Sequence, residues 1–147
     1  MNDREMFDAF YLAKRIWELQ PELPAGLSSQ SIHILDCIHQ LKKQKKLVYV
    51  SDVSTFLELP RPGITKSIRQ LAQMGYVEKK ADERDHRMVQ VELTSLGQAV
   101  VQTYVTDYFR SIEKKLVNIP DTSIHQMAQT IEQIYQVLCK GENQDGR

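Results

Sequence analysis

The sequence predicts a mainly α-helical protein with one small two-stranded β-sheet. Most of its 147 residues fall in stretches where apolar side chains recur every three or four positions, which is the period of an amphipathic helix. Near residues 76–93 the period changes to two, as is typical of strands. Prolines and glycines separate these stretches. The length suits one domain, or one domain with a small appendage.

Two amphipathic helices are predicted in the first third of the chain. The first covers residues 3–19 and ends at a break rich in proline and glycine, residues 21–26. Ser28 is a suitable N-cap for the second helix, which ends in the lysine-rich run 42–46, interpreted as a solvated loop. The residues predicted to share the apolar faces are Met6, Phe7, Phe10, Leu12, Ala13, Ile16 and Trp17, then Ile32, Leu35, Ile38 and Leu41.

Two shorter helices are predicted in the middle of the chain. A β-like run at 47–52 contains Ser51, a candidate N-cap for the first of them. Because a residue before proline disfavours helix, the segment 59–62 is predicted to be a turn. Pro62 then suits the first turn of the second helix, which runs to about Met74 before a C-cap glycine. The predicted inward side chains are Val53, Phe56 and Leu57, then Ile64, Ile68, Leu71 and Ala72, with Thr65, Lys66, Arg69 and Gln73 outward.

A β-hairpin with a charged tip follows. Residues 76–80 and 88–93 are predicted strands, and the segment 82–87 between them is charged. The order of these middle elements is that of a helix-turn-helix followed by a β-hairpin wing, so the predicted fold is a winged helix-turn-helix flanked by terminal helices.

Two further helices complete the chain. Thr94 is a suitable cap for a helix that reaches roughly Val117, and Asp121 for the last one. The tail 141–147 is expected to be disordered. The predicted apolar faces comprise Leu96, Val100, Val101, Tyr104, Tyr108, Ile112 and Leu116, then Ile124, Met127, Ala128, Ile131, Ile134, Tyr135 and Leu138.

Positive charge is concentrated in the middle of a chain whose net charge is zero. Residues 1–41 carry 3 basic and 6 acidic side chains, residues 42–99 carry 11 and 7, and residues 100–147 carry 5 and 6. A local excess sets the local field, so a neutral total does not exclude a polyanionic partner. No apolar run approaches the roughly 18 residues of a membrane span. The N-terminus lacks the features of a signal peptide, so the cytoplasm is the expected compartment.

The second helix of a helix-turn-helix pair enters the DNA major groove with its N-terminal residues toward the base edges. Here that helix begins with residues 61–66, which include arginine, threonine and lysine, suitable donors to bases and phosphates. From this element alone, an ordinary surface helix is as good an interpretation as a DNA-recognition helix.

The wing favours the DNA-binding interpretation. A narrow minor groove attracts arginine, and a hairpin tip can deliver one that is held extended. Asp85 and Arg87 lie two positions apart, on the same side of an extended chain, so Asp85 can orient Arg87. The alternative is that the acidic residues of the tip merely neutralise Arg84 and Arg87 in solvent. A further expectation is that Asp82 and Glu83 keep the hairpin soluble.

The wing sequence is similar to a known pattern. The run D-x-x-D-x-R-x-x-x-V-x-L-T-x-x-G resembles the wing signature of the MarR family of bacterial winged helix-turn-helix regulators. The upstream segment 51–80 resembles the two-helix part of that family, and the long terminal helices resemble its dimerisation elements. In this chain the signature comprises Asp82, Asp85, Arg87, Val91, Leu93, Thr94 and Gly97.

The resemblance implies a nucleoid-associated repressor, bacterial or archaeal, that binds a pseudo-palindromic operator as a homodimer. Residues 1–27 would be a dimerisation helix and connector, 28–95 the winged helix-turn-helix domain, and 96–140 the C-terminal dimerisation helices. Arg87 would enter the minor groove with Asp85 positioning it. The DNA-binding residues that it implies are Arg61, Pro62, Gly63, Thr65, Lys66, Arg69, Arg84, Asp85 and Arg87.

The chain departs from the family pattern at three positions. Pro60 stands where a serine-like helix cap is usual, and Gly63 stands where a serine or threonine often faces DNA. His86 occupies a place that is often arginine. These departures affect the expected sequence preference and not the binding mode.

Three kinds of switch are considered for such a regulator. Cys37 falls in an apolar register, which favours a buried, inert thiol, and Cys139 has only Lys140 as a basic neighbour. His33 and Cys37 share a helix face, but two ligands do not make a metal site, so neither a metal nor another cofactor is expected. The resemblance favours a small aromatic or amphipathic effector. Its candidate lining residues are Trp17, His33, Tyr104 and Tyr108.

Other functions are weighed against DNA binding. Motifs of hydrolases, zinc proteases and nucleotide-binding enzymes are absent from the sequence, so an enzyme is not expected. A winged-helix module that binds another protein is one alternative. A metal- or redox-responsive regulator of the same fold is another.

Overall fold

The computed structural model describes the backbone of residues 2–145 and the side chains of residues 2–140. It confirms the mainly α-helical class, with one antiparallel sheet of two strands. The chain divides into two compact units, residues 1–108 and 109–147. No described helix combines the length and the apolar character that crossing a bilayer requires. The elements are α1 (Asp3–Glu18), α2 (Ser29–Gln44), α3 (Val50–Leu57), α4 (Arg61–Gln73), β1 (Val77–Ala81), β2 (Val89–Leu93), α5 (Ser95–Val101), α6 (Tyr108–Lys115) and α7 (Asp121–Asp145).

One hydrophobic core lies in the first unit and joins the helices of the helix-turn-helix to the hairpin. Ser28 caps α2 as predicted, and the capping box it forms with Ser31 fixes the start of that helix. The inward face predicted for α4 is confirmed, so its opposite face lies at the surface. The buried apolar side chains are Ile34, Leu35, Cys37, Ile38, Leu41, Val48, Val50, Val53, Ile64, Ile68, Leu71, Tyr76, Val77, Val91, Val100 and Val101.

Helix α3 starts earlier than the sequence predicts. Tyr49, and not Ser51, is the residue before its first turn, because the Asp52 carboxylate accepts the Tyr49 backbone N–H at 2.8 Å. Val50 therefore joins both the helix and the core. The prediction that Phe56 faces inward was wrong, since its side chain is 53 % exposed on the outer side of this short helix.

Helix α4 includes a residue that the proline pattern predicts to be a turn. Glu58, with φ of 53°, ends α3 in the left-handed conformation, and Arg61 is already the first residue of α4. The preference against helix before a proline is overridden here, because the Ile64 N–H donates to the Pro60 carbonyl at 3.2 Å and closes the first turn. Gly75, with φ of 85°, follows the end of α4 as predicted.

The hairpin is confirmed, and its two strands pair so that Val77 lies opposite Leu93. The Val91 N–H also donates to the Val48 carbonyl at 2.9 Å, on the other edge of β2. The β-like run predicted at 47–52 is reduced to this edge contact and one isolated bridge, because α3 begins at the third residue after Leu47.

The helix predicted to run from Thr94 to Val117 is interrupted. A π-helical segment, Gln102–Asp107, separates α5 from α6, and α6 ends at Lys115. Leu96 was predicted to face inward but is 51 % exposed, because the neighbouring Gly97 occupies the buried side against the hairpin.

The terminal helices form, but within a single chain their apolar faces are largely uncovered. α1 contains no buried residue, and most large apolar side chains of α7 are exposed. The tail was expected to be disordered from residue 141, yet α7 continues to Asp145, since each added residue of a formed helix gains a hydrogen bond. Residues 146 and 147 lie outside the described residues.

Candidate nucleic-acid interface

The outer face of α4 presents the polar side chains that the sequence assigns to DNA. Its buried stripe of isoleucine and leucine fixes the rotation of the helix, so residues spaced four apart form an exposed stripe opposite the core. An added Cβ at Gly63 would meet nothing within 4 Å, so the first turn is open to a large partner. All residues of this helix that the sequence assigns to DNA are exposed, namely Arg61, Pro62, Gly63, Thr65, Lys66 and Arg69.

At the wing tip, Asp85 orients Arg87 within a turn, and not along an extended chain as the sequence predicts, because the Met88 N–H donates to the Asp85 carbonyl at 2.9 Å. The Arg87 guanidinium donates through Nε to Asp85 Oδ1 at 3.0 Å and through Nη2 to Oδ2 at 3.2 Å. The Arg87 backbone N–H donates to the same Oδ1 at 3.1 Å. These bonds lower the pKa of the Asp85 carboxyl below its ordinary value. The Arg87 side chain remains 90 % exposed, so its other donors face solvent.

Asp82 organises the tip from inside, which corrects the expectation that it only keeps the hairpin soluble. It is buried, and its Oδ1 accepts the backbone N–H groups of Arg84 at 2.9 Å and Asp85 at 3.1 Å. Its Oδ2 accepts the Tyr49 hydroxyl at 2.7 Å and the Gln90 amide at 2.9 Å. The hydrogen bond from Tyr49 leads these donors in holding the pKa of Asp82 well below its usual range. Tyr49 and Asp82 are therefore wing-supporting residues that the sequence interpretation missed.

Replacing Asp82 with asparagine is expected to destabilise the protein at neutral pH and to flatten its acid sensitivity. Because the folded-state pKa of Asp82 is lowered, the stabilisation by its carboxylate is complete above the unfolded pKa of about 3.9 and is lost as pH falls below it. Urea unfolding of both proteins at pH 7 and pH 3 measures this. The exposed Glu83→Gln variant is the control, and parallel pH profiles for Asp82→Asn and wild type would contradict the assignment.

The end of the wing signature fixes the base of the hairpin. The Thr94 hydroxyl donates to the Gly75 carbonyl at 2.6 Å and accepts the Gly97 N–H at 3.1 Å. The Thr94 N–H donates to the Tyr76 carbonyl at 3.1 Å. Gly97 packs directly against that carbonyl, where a Cβ would overlap it. The threonine and the glycine thus join the end of α4, the sheet and the start of α5.

The lysine-rich run is only partly the solvated loop that the sequence predicts. Lys42 Nζ donates to the Lys46 carbonyl at 2.8 Å and lies 3.2 Å from the Glu92 carboxylate of β2. Lys45 Nζ lies 2.7 Å from the Asp52 carboxylate of α3. These two lysines join the end of α2 to the neighbouring elements, because carboxylates of α3 and β2 lie within reach.

The residues considered for sensing lie outside the hairpin, in α1, α2, the π-helical segment and α6. The rings of Trp17 and His33 stack with centroids 5.7 Å apart, Tyr104 packs against the core, and Tyr108 is half-buried. Cys37 is buried, and desolvation raises the pKa of its thiol to about 12, as an unreactive cysteine requires. No three potential metal ligands converge within the described part of the chain.

Sequence comparison identifies a family for most of this interface. The model of the transcriptional regulator SarA/Rot family matches residues 23–104, which span α2 through the hairpin and into the π-helical segment. That is more than half of the 147 residues. Comparison with curated protein sequences gives no match.

Solved structures share the fold over nearly the whole chain. FabT of Streptococcus pneumoniae in complex with DNA is 23 % identical, covers 93 % of this chain and 95 % of its own, with a TM-score of 0.66. PcaV of Streptomyces coelicolor, a transcriptional regulator in complex with its natural ligand, is 18 % identical, with coverages of 92 % and 89 % and a TM-score of 0.66. A MarR protein of Peptoclostridium difficile is 20 % identical, with coverages of 94 % and 89 % and a TM-score of 0.65. The resemblance to MarR-type regulators is confirmed at the level of the fold.

Proposed function

Because the chain belongs to the transcriptional regulator SarA/Rot family, we propose that it regulates transcription by binding duplex DNA through α4 and the hairpin wing. In this arrangement the exposed face of α4 lies in the major groove and Arg87 enters the flanking minor groove. The observation that carries the proposal is the exposed Arg87 guanidinium, which donates two side-chain hydrogen bonds to the Asp85 carboxylate and is thereby oriented at the wing tip.

Charge and exposure on α4 support the same binding mode. Arg61, Lys66 and Arg69 are exposed on one helix and can donate to phosphates and base edges. FabT, which shares the fold, is solved in complex with DNA. The alternative of a protein-binding winged helix would not need Arg87, so the effect of removing this arginine on DNA affinity separates the two functions.

We further propose that the regulator acts as a homodimer. The apolar face of α1 is uncovered within one chain, although an amphipathic helix in a globular protein buries such a face. Pairing two chains would place two α4 helices on half-sites about 10 bp apart, which predicts a pseudo-palindromic operator. The large apolar side chains exposed on α1 are Met6, Phe7, Phe10, Tyr11, Leu12, Ile16 and Trp17.

Sedimentation equilibrium tests the dimer. Wild type is expected at twice the chain mass, whereas Ile16→Glu places a charge within the uncovered apolar face of α1 and is expected to shift the protein toward monomer. Gln44→Glu introduces the same side chain at an exposed position of α2 and is the control. A monomeric wild type, or equal behaviour of the two variants, would contradict the proposed pairing.

Selection from a random duplex pool tests the DNA-binding function itself. The protein is expected to enrich a two-fold symmetric sequence with half-sites about one helical turn apart. The best enriched sequence is called the selected duplex below. Retention without sequence preference, equal to that of scrambled duplexes, would refute the proposed function.

The proposed switch of this regulator is a small ligand. We propose repression of the bound gene in the cytoplasm, with release by a small aromatic or amphipathic effector and without a bound cofactor. Trp17, near the C-terminal end of α1, stacks on His33 of α2, and this aromatic pair is the proposed contact for such a compound. A thermal-shift screen with phenolic compounds and divalent metals separates this switch from a metal-responsive one.

A further inference from the structure

Tyr49 stands at the junction between the helix-turn-helix and the wing. Its backbone N–H donates to the Asp52 carboxylate at 2.8 Å and so caps α3. Its hydroxyl donates to the buried Asp82 carboxylate at 2.7 Å, which lies 33 residues further along the chain. Tyr49 also forms a β-bridge with Gln90. One residue therefore contacts both the first helix of the helix-turn-helix and the hairpin.

The ring of Tyr49 is itself held in place. Lys45 Nζ lies 5.9 Å from the ring centroid and 2.7 Å from the Asp52 carboxylate. The hydroxyl thus points at Asp82 from a side chain whose own position is fixed by the end of α2 and the start of α3. The bond to Asp82 raises the pKa of the Tyr49 phenol, because the carboxylate favours the protonated donor.

From Asp82 the hydrogen bonds continue to the wing tip. The oxygen of Asp82 that does not contact Tyr49 accepts the backbone N–H groups of Arg84 and Asp85. The Asp85 side chain in turn holds Arg87. A continuous series of contacts therefore runs from the helix-turn-helix to the arginine that we assign to the minor groove.

We propose that Tyr49 is a positioning residue for DNA binding, which fixes the wing tip relative to α3 so that Arg87 meets the minor groove in register with α4. The inference rests on the proposed function, because it assigns Arg87 to DNA. Gln90 also donates to Asp82, but it lies on β2 and cannot by itself fix the hairpin to the helices. Tyr49 donates to the same oxygen from outside the hairpin.

Amide hydrogen exchange of the free protein tests, without DNA, whether the Tyr49 hydroxyl holds the wing tip in place. Tyr49→Phe keeps the ring and the backbone cap but removes the hydroxyl, so the Arg84 and Asp85 amides are expected to exchange faster. Tyr76→Phe is the matched control, because the Tyr76 hydroxyl has no hydrogen-bond partner among the described residues. Unchanged exchange at Arg84 and Asp85 in Tyr49→Phe would overturn the proposal.

A double-mutant cycle on the selected duplex tests the positioning role. Tyr49→Phe is expected to weaken binding about 10-fold in the wild-type background, as loss of a hydrogen bond to a charged group would allow. In the Arg87→Ala background the same change is expected to cost less than about 2-fold, because the positioned group is gone. Equal losses in both backgrounds indicate a merely structural role and overturn the proposal, as does no loss in either.

The failures of the two proposals are distinguishable. If Arg87→Ala weakens binding but Tyr49→Phe does not, only the positioning role fails. If wild type shows no sequence preference, the proposed function fails, and with it the claim that Tyr49 positions Arg87 for DNA. The exchange rates of Arg84 and Asp85 then still decide whether Tyr49 holds the wing tip.

Discussion

Arg87→Ala is expected to weaken binding of the selected duplex by about 1–3 kcal/mol, roughly 5- to 150-fold. The guanidinium is exposed and pre-oriented by Asp85, so little conformational freedom is lost when it binds. Alanine removes the groove contact and leaves the buried Asp82 in place. The measurement is the dissociation constant across a salt series, since a lost phosphate contact also reduces the salt dependence.

Two further variants separate the effect of the groove contact from the effect of charge. Lys43→Ala removes one positive charge at an exposed position of α2 and is expected to change affinity only through the general field. Asp85→Asn keeps Arg87 but weakens its orienting hydrogen bonds, so an intermediate loss is expected. Arg87→Ala binding as tightly as Lys43→Ala, with an unchanged salt slope, would rule out the minor-groove role.

Gly97→Ala is expected to lower the free energy of unfolding by about 3 kcal/mol. The new methyl group would overlap the Tyr76 carbonyl and lie 3.4 Å from Leu93 Cδ2, and a backbone carbonyl in the hairpin cannot move aside as a flexible side chain can. Relief requires the start of α5 to shift away from Thr94, whose hydroxyl accepts the Gly97 N–H. Urea unfolding monitored by circular dichroism gives the change.

Gly63→Ala is the matched control for that substitution. Gly63 also lies in the first turns of a helix, but no atom lies within 4 Å of its added Cβ. Alanine there is expected to leave stability unchanged or to raise it by about 0.5–1 kcal/mol, since alanine favours helix over glycine. If both glycine variants unfolded at the same urea concentration as wild type, the close packing at Gly97 would be wrong.

Contacts between near neighbours in the sequence were predictable at the wing. The spacing of Asp85 and Arg87 predicted their pairing, but the premise of an extended chain was wrong. The Met88 N–H donates to the Asp85 carbonyl at 2.9 Å, so the two residues pair within a tight turn, where the Asp85 side chain also accepts the Arg87 backbone N–H. Thr94 was likewise predicted as a cap from the local pattern, and its hydroxyl accepts the Gly97 N–H three residues later. These interactions need no knowledge of the rest of the fold.

Contacts across the fold were not predictable in the same way. Asp82 sits in a run of charged residues, and nothing local marks it as buried. Its role depends on Tyr49, which lies 33 residues earlier and is brought beside it only when α3 packs on the hairpin. The requirement for glycine at position 97 similarly comes from the Tyr76 carbonyl. The signature residues are thus recognisable by pattern, while their physical reasons appear only in the folded chain.

The apolar periodicity predicted the presence of helices more reliably than it predicted whether their apolar faces are buried. The apolar spacing in α1 and α7 identifies both helices, yet their apolar side chains remain largely exposed in one chain. The apolar periodicity also does not reveal the π-helical segment Gln102–Asp107, because one extra residue in a turn barely changes the spacing of apolar positions. Leu96 was misplaced because Gly97 sets the buried side of α5.

The most direct test of the central claim uses a modified selected duplex. Replacing adenines at its flanks with 2,6-diaminopurine adds an amino group to the minor groove and leaves the major-groove acceptors and donors unchanged. Wild type is expected to lose about as much affinity on this duplex as Arg87→Ala loses on the unmodified one, and Arg87→Ala is expected to be indifferent to the modification. Equal losses for both proteins, or no loss for wild type, would show that Arg87 does not enter the minor groove.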